Sequence, residues 1–278
     1  MARELISSTA NPRVKAADRL RDRRERDERG VTIVDGAREI LRAVESGAEV
    51  EELWVSIDRC RSDDCRAAVA AVPAERWIEA SAAVLDRLAF GDRSEGMVAV
   101  VRTPSTELVR IDLPQDALVV VLEGVEKPGN VGAVLRSADA TGAAALLLAD
   151  PRTDPFNPNA IRASLGTAFT VPIGVGSAET VRQWLDERRL RVVTARVDAS
   201  ADHWDADLTG PLALVLGSEA RGLTGAWRTP ELVSVRLPML GVADSLNVSA
   251  TAAVLLFEAR RQRTVALKRS PANGRSDG

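Results

Sequence analysis

The chain has 278 residues, which favours two domains over one, and its 45% hydrophobic and 28% charged composition excludes wholesale disorder and collagen-like repeats. Aromatic residues make up only 3% of the chain, so packing depends on Ala, Val and Leu, as is common in parallel sheets covered by helices. The formal net charge is -3, from 37 Lys and Arg against 40 Asp and Glu, which argues against a general nucleic-acid binder.

The two cysteines, Cys60 and Cys65, are too few for a disulfide framework, and they lack the second pair that a zinc site needs. We therefore expect reduced thiols, a cytoplasmic protein and no bound metal. The N-terminal residues carry too many charges for a signal peptide, and no apolar run reaches about 18 residues, so no association with a membrane is expected.

The first feature in chain order is a strongly charged segment at 13–29, with eight basic residues against five acidic ones. Asn11-Pro12 is a plausible helix start, and Val14 and Leu20 follow at helical spacing, which predicts a charged amphipathic helix. Two interpretations remain open for it. It is either a solvated face with i,i+4 ion pairs or an arm that meets RNA phosphates.

Strands alternate with helices in the rest of the first half. The predicted strands are 31–34, 50–57, 76–78 and 96–101, and the predicted helices are 37–44, 67–71 and 82–88. This alternation predicts a compact α/β unit of about one hundred residues. Two prolines and several polar residues then predict a linker at 102–116.

The second half opens with an apolar strand at 117–122 and continues the alternation. Further strands are predicted at 144–148, 171–173, 190–195, 212–216 and 234–237, and helices at 131–140, 158–165, 178–188 and 247–264. The pattern predicts a second α/β domain with a mostly parallel sheet. The polar tail at 268–278 is expected to fray.

Three stretches of the second half place Gly, Asn, Ser or Glu at or just beyond the end of an apolar strand. These stretches are 122–137, 212–223 and 235–252. Ligands bind beside the carboxyl ends of strands in open α/β sheets, so three such ends suggest one shared site. The first two stretches also have structural interpretations: Asn130 caps a helix, Arg136 forms a surface ion pair, and Ser218 caps a strand-to-helix turn.

In combination and order, these stretches resemble the three signature motifs of the SpoU/TrmH family of RNA 2′-O-ribose methyltransferases. The matching segments are Asn130 to Arg136, Leu216 to Glu219 with Gly222, and Leu237 to Met239 followed by Ser245 to Ser249. The first half, from Ser7 to Val101, is similar to the ribosomal protein L30e fold, which serves larger family members as a substrate-binding domain.

The resemblance implies an α/β fold in two parts. A SPOUT methyltransferase domain at 117–267 would contain a mostly parallel sheet and a deep trefoil knot, which periodicity alone would not suggest. A smaller L30e-like α/β domain for RNA substrate binding would occupy 1–101, followed by the linker at 102–116. The tail at 268–278 would be flexible.

The resemblance also implies an activity. The enzyme would use S-adenosylmethionine to methylate a ribose 2′-oxygen of RNA, with 23S ribosomal RNA as the expected substrate. A transfer RNA 2′-O-methyltransferase and a non-catalytic RNA-binding or ribosome assembly factor are the alternatives. Family members form dimers through the knotted domain, so we expect a homodimer.

The site residues implied by the resemblance fall into three sets. The catalytic set is Arg136, Asn130, Glu219, Ser245 and Asn247. The cofactor-binding set is Leu216, Gly217, Leu237, Met239 and Leu246. The RNA-binding set, from the charged segment, is Arg13, Lys15, Arg21, Arg23 and Arg24. Arg136 is the principal catalytic residue, and because a guanidinium stays protonated, phosphate binding or alkoxide stabilisation suits it as well as a general-base role.

Two further features lie outside the motifs. His203 is the only histidine, lies beside Trp204 and is interpreted as structural, which weakens a Ser-His-Asp hydrolase as a rival. The cluster of Arg260, Arg261 and Arg263 continues the last predicted helix. It is either surface charge or a contact for RNA or a partner subunit.

Overall fold

The structure is a computed structural model that describes residues 5–90 and 95–269. Its contacts divide the chain into two compact units. The first combines the chain up to Thr106 with 127–136 and 152–172, and the second combines 107–126, 137–151 and the chain from Ile173 onward. Apart from its first two residues, the predicted tail lies outside the described residues.

The first unit is built on a four-stranded sheet with the order β1-β4-β2-β3. Its strands are β1 (Val31–Asp35), β2 (Val50–Val55), β3 (Trp77–Glu79) and β4 (Met97–Arg102), and its helices are α1 (Pro12–Asp18), α2 (Arg23–Arg29), α3 (Ala37–Glu45), α4 (Asp63–Ala71) and α5 (Ala82–Leu88). Strand β4 is antiparallel to both β1 and β2, whereas β2 and β3 are parallel. The predicted α/β alternation is therefore present.

The charged segment at 13–29 forms two short helices instead of the single helix predicted. Between them, Asp22 adopts an extended conformation and its side chain caps α2. The Arg26 guanidinium donates to the main-chain carbonyls of Leu20 at 2.8 Å and Arg21 at 2.9 Å. These bonds satisfy carbonyls that a continuous helix would pair internally, which explains the break.

The second unit is built on a seven-stranded sheet with the order β7-β6-β5-β10-β8-β11-β9, and all of its strand pairs are parallel. Its strands are β5 (Leu118–Glu123), β6 (Ala145–Ala149), β7 (Ile173–Gly176), β8 (Arg191–Ala195), β9 (Ala201–Asp202), β10 (Leu212–Leu216) and β11 (Val233–Arg236). The helices that come after the four-stranded sheet in the chain are α6 (Pro128–Thr141), α7 (Pro158–Ala163), α8 (Ala178–Glu187) and α9 (Val248–Arg269). Helices α6 and α7 contribute residues to the first unit.

The central strands of the large sheet are buried along their whole length, as their continuous aliphatic sequences predict. One face packs into a core with Trp184 and Leu185 of α8. Leu108 and Ile111, in the predicted linker, are buried in the same core, and the Leu108 carbonyl accepts a hydrogen bond from Trp184 Nε1 at 2.9 Å. Part of that segment therefore contributes to the second unit.

Arg263, one of the cluster expected as surface charge or a partner contact, is buried instead. Its guanidinium donates to the carbonyls of Asp116 at 2.8 Å and Ala117 at 3.3 Å, and also to the carbonyl of Gly210. These carbonyls precede β5 and β10, so Arg263 ties α9 to the starts of two central strands. In the described residues, no helix has the length and apolar composition needed to cross a membrane.

Cys60 and Cys65 form a disulfide, so the expectation of reduced thiols is wrong for this structure. Cys60 follows a short 3-10 turn and Cys65 lies in the first turn of α4. This tight connection places their Cα atoms 5.4 Å apart, within the range that a disulfide spans. A count of cysteines does not reveal that proximity.

Candidate active site

A cavity of about 320 Å³ opens at the carboxyl ends of β10 and β11. Parallel strands end at the same edge of a sheet, which brings the second and third predicted motifs together. The motif residues that line the cavity are Leu216, Gly217, Ser218, Glu219, Gly222, Leu237, Met239, Ser245, Leu246 and Val248. They include the whole predicted cofactor-binding set and two members of the predicted catalytic set.

Gly217 allows the second motif to fold back closely on itself. A Cβ atom at this position would lie 2.5 Å from the amide nitrogen of Leu223 and closer still to the carbonyl group of Gly222. The amide of Gly222 donates to the carbonyl of Ser218 at 2.9 Å, and the Ser218 hydroxyl accepts from the Arg221 amide at 3.3 Å. The motif therefore forms a tight turn rather than the strand-to-helix turn of the structural interpretation.

Glu123 joins the end of β5 to this turn. Its carboxylate is buried and accepts hydrogen bonds from the Thr224 amide at 2.8 Å and the Thr224 hydroxyl at 2.6 Å. Sequence analysis assigned no role to Glu123, although an acidic residue that ends an aliphatic strand is a usable signal. Its contacts show that it supports the loop beside the cavity.

Asn247 connects the third motif to the second. Its side-chain amide donates to Glu219, and its Oδ1 accepts from the amide and hydroxyl of Ser249 at 2.9 and 2.6 Å. Asn247 thus caps α9 while it orients Glu219, which lines the cavity. The structure brings these two predicted catalytic residues into direct contact.

The other two predicted catalytic residues, Asn130 and Arg136, lie on α6. The helix begins at Pro128, and the Asn130 amide donates to the Lys127 carbonyl at 3.1 Å. Asn130 is therefore inside the first turn, and the interpretation that it caps the helix is wrong because Pro128 starts the helix earlier. Arg136 is solvent-exposed.

Comparison with known families identifies the family to which these motifs belong. The profile of the SpoU rRNA Methylase family matches residues 117–257, just over half of the chain. The chain belongs to the SpoU rRNA methylase family. The profile of the MRM3-like substrate binding domain matches residues 11–99. The family assignment made from the three motifs is confirmed.

Relatives in the SpoU family support the enzyme class. A 23S rRNA (uridine(2479)-2'-O)-methyltransferase of Streptomyces viridochromogenes is 36% identical over 253 residues, which cover 88% of this chain and 87% of the relative. A 23S rRNA (guanosine-2'-O-)-methyltransferase RlmB of Ralstonia nicotianae is 39% identical over 214 residues, which cover 75% of this chain and 85% of the relative. The assignment as an RNA ribose 2′-O-methyltransferase is confirmed.

Solved structures agree with the SpoU assignment. The structure of an RNA 2'-O ribose methyltransferase is 42% identical with a TM-score of 0.84, and the match covers 94% of this chain and all of that structure. The SpoU methyltransferase AviRb from Streptomyces viridochromogenes, in complex with AdoMet, is 34% identical with a TM-score of 0.84 and covers 91% and 98% of the two chains. The predicted fold class, an α/β chain with a large, mostly parallel sheet and a smaller N-terminal α/β domain, is confirmed.

Arginines at the cavity of this SpoU protein were missed by sequence analysis. The cavity is also lined by Arg196, Arg221, Arg228 and Arg236. Arg196 bonds Asp198 at 2.7 and 2.9 Å, and this contact lowers the pKa of the Asp198 carboxyl. Arg221 and Arg236 lie within the stretches at 212–223 and 235–252, whereas Arg196 and Arg228 lie outside all three, so strand-end patterns could not single out those two.

All four of the predicted RNA-binding arginines form ion pairs within the protein. The pairs are Arg13 with Glu52 at 2.9 Å, Arg21 with Asp18 at 2.8 Å, Arg23 with Asp27 at 3.4 Å and Arg24 with Glu28 at 2.7 Å. Lys15 is exposed. The two i,i+4 pairs match the interpretation of this segment as a solvated face, and exposed pairs of this kind are weak enough to be exchanged for phosphates.

His203 lies outside the cavity lining. Its ring stands 4.7 Å from that of Trp204, and its amide donates to the Arg236 carbonyl at 3.0 Å. These contacts continue the pairing of β9 with β11 and suit the structural role expected from the sequence.

Proposed function

We propose that this chain transfers a methyl group from S-adenosylmethionine to a ribose 2′-hydroxyl of RNA, and that its substrate is 23S ribosomal RNA. The observation that carries the proposal is the single cavity at the ends of β10 and β11, where two of the three family motifs meet. Two relatives that are named as 23S rRNA methyltransferases, and that match three quarters or more of the chain, support the choice of substrate.

The cavity fits the methyl donor. Its volume of about 320 Å³ is in the range of small-molecule sites. Leu216, Leu237, Met239 and Leu246 provide apolar walls for an adenine ring, and the main chain around Gly217 provides polar atoms. When bound, S-adenosylmethionine supplies an electrophilic methyl group on a sulfonium.

The protein must place the ribose hydroxyl in line with that methyl group and assist the loss of its proton. Alignment alone contributes up to about 7–11 kcal/mol. As the methyl carbon bonds to the ribose oxygen and leaves the sulfur, the hydroxyl proton passes either to Arg136 acting as general base or to water. In the second case the Arg136 guanidinium binds the target phosphate or stabilises the developing alkoxide. By the resemblance to the family, we also assign catalytic roles to Asn130, Glu219, Ser245 and Asn247.

The remaining chain supplies RNA recognition. We assign substrate binding to 1–101, including Arg13, Lys15, Arg21, Arg23 and Arg24, a linker to 102–116 and methyl transfer to a trefoil-knot domain at 117–267. No metal is needed for this displacement. A ribosomal RNA substrate supports a cytoplasmic location.

We assign the active form to a homodimer made through the knotted domain. Large apolar side chains are exposed on α9 at Val254 and Phe257, and in the third motif at Leu240 and Val242. Exposed apolar surface of this kind is typical of protein interfaces. A partner subunit would cover it.

The Arg136→Ala variant tests the proposed chemistry. Methyl transfer to RNA, followed with a radioactive methyl donor, should be lost. Calorimetry should show nearly unchanged affinity for S-adenosylmethionine, because the residues that line the cavity all lie between Ala195 and Thr251 and do not include Arg136. Retained turnover would refute the role of Arg136. If the unmodified protein bound no S-adenosylmethionine, with or without RNA, it would instead be a non-catalytic factor.

A further inference from the structure

Arg26 differs from the other arginines of the charged segment because it is buried, with 3% of its side chain exposed. Its guanidinium forms an ion pair with Asp154, whose side chain is 11% exposed, and the Nε donates to Asp154 Oδ2 at 3.1 Å. Together with its bonds to the carbonyls of Leu20 and Arg21, this makes Arg26 a cross-link between the α1–α2 break and the 152–172 segment. A desolvated pair so far apart in sequence costs free energy to bury, which suggests a specific purpose.

The 152–172 segment is bound to the N-terminal elements at several points between Asp154 and Leu165. Three more side-chain bonds do so: Thr32 donates to the Phe156 carbonyl at 2.7 Å, Arg42 donates to the Leu165 carbonyl at 2.6 Å, and Arg162 donates to Asp35 at 3.3 Å. Asp154 stands at the start of this series. Its carbonyl accepts from the amide of Asn157 at 3.2 Å, and Asn157 caps α7. The ion pair therefore fixes where α7 begins.

Helix α7 in turn supports α6. At Gly132, a Cβ atom would lie 2.6 Å from the Cβ of Ala163 and closer still to the carbonyl of Ala160. At Gly132, which has no side chain, the backbone of α6 is therefore in direct contact with α7. Gly132 lies one helical turn before Arg136, so a displacement of α7 moves the part of α6 that carries Arg136.

We propose that the buried Arg26–Asp154 ion pair is a positioning pair for methyl transfer. It fixes the 152–172 segment, α7 then holds α6 at Gly132, and α6 keeps Arg136 in its reactive place. The proposal rests on the proposed function, with Arg136 as the catalytic residue. It gives the N-terminal part of the chain a second task besides RNA binding, namely to set the position of the catalytic helix.

The first test compares Asp154→Asn with the unmodified protein. Because small displacements of a reacting group are costly, kcat for methyl transfer should fall by about 10- to 100-fold. The KM for RNA and the calorimetric affinity for S-adenosylmethionine should stay unchanged. Asp63→Asn is the matched control, since it removes the carboxylate of an exposed pair with Arg66 and should leave kcat intact. Normal kcat in Asp154→Asn would overturn the proposal.

The second test separates positioning from stability. In Arg26→Met/Asp154→Leu both charges are removed, and replacing a buried pair with apolar side chains commonly preserves stability. Because Arg26→Met also removes the donor to the carbonyls of Leu20 and Arg21, we expect a lower Tm, and we expect kcat to be reduced even when it is measured well below that Tm. A normal kcat at that temperature would show that the pair only stabilises the fold. If the unmodified protein itself showed no turnover, the proposed function would be wrong, whatever the role of the ion pair.

Discussion

At the scale of single residues, Gly217 is the position where the second motif tolerates least change. In Gly217→Ala the new methyl group would overlap the main chain of Gly222 and Leu223, which no side-chain rotation can relieve. Overpacking of this kind costs about 1–3 kcal/mol. We expect a lower free energy of unfolding and loss of S-adenosylmethionine binding, measured by denaturant titration and calorimetry.

Gly225 provides the control for this substitution. A Cβ atom there would meet nothing within 4 Å, so Gly225→Ala should keep both stability and donor binding. If Gly217→Ala bound S-adenosylmethionine as tightly as Gly225→Ala, the tight turn would not shape the cavity.

Residue patterns predicted residues that line the cavity, but they did not predict the buried polar contacts that hold the surrounding segments in place. Gly217, Leu237 and Leu246 could be singled out because they lie in segments that resemble the signature motifs of the family. Glu123 and Arg26 could not, because their partners lie 101 and 128 residues away in the sequence. In the sequence, a carboxylate or guanidinium that will be buried cannot be distinguished from one at the surface, because its partner is distant in the chain.

At the scale of elements, α9 contains a network that should respond to acid. Glu258 accepts two hydrogen bonds from Arg261 at 2.8 Å and one from Gln262 at 2.9 Å, and these partners, chiefly Arg261, lower its pKa from 4.5 to about 2. A carboxyl whose pKa is lower in the folded state stabilises the protein above its unfolded pKa. That stabilisation is lost as the pH falls from 4.5 toward 2.

The Glu258→Gln variant checks this dependence. Urea unfolding at several pH values should show the unmodified protein more stable than the variant near neutral pH, with the difference shrinking as the pH falls through this range. If the difference in free energy of unfolding between the two proteins did not change with pH, the Arg261 contact would not contribute to stability.

Secondary structure was predicted where periodicity is strong. Strand β10 and helix α5 match their predicted bounds, because an aliphatic run and a capped amphipathic run leave few alternatives. Strand β9 was missed because it has only two residues. The break between α1 and α2 was missed because a tertiary contact of Arg26 stabilises it, and local periodicity does not report such contacts.

At the scale of the whole molecule, the exposed apolar surface of α9 predicts a homodimer. Analytical ultracentrifugation of the unmodified protein should give twice the 29.8 kDa mass of one chain. Phe257→Glu would place a charge in the interface and should yield the monomer. Val109→Glu, at another exposed apolar residue, is the control and should remain dimeric. A monomeric unmodified protein would contradict the assignment.

The two contact units do not follow the order of the sequence. The segments 127–136 and 152–172 belong to the unit that contains the N-terminal sheet, although they fall inside the SpoU match. Composition can place a division near 102–116, but it does not predict that later segments fold back across it. Removing the residues before Ala117 would also remove the partners of Asp154 and Phe156, so point variants are the sounder test of RNA recognition.

The most direct test of the central claim is a map of 2′-O-methylated riboses in ribosomal and transfer RNA from cells with and without the gene. We predict that a ribose of 23S ribosomal RNA loses its methyl group when the gene is absent. The unmodified gene should restore it, and the Arg136→Ala gene should not. A methyl group lost only from transfer RNA, or no loss at all, would contradict the account.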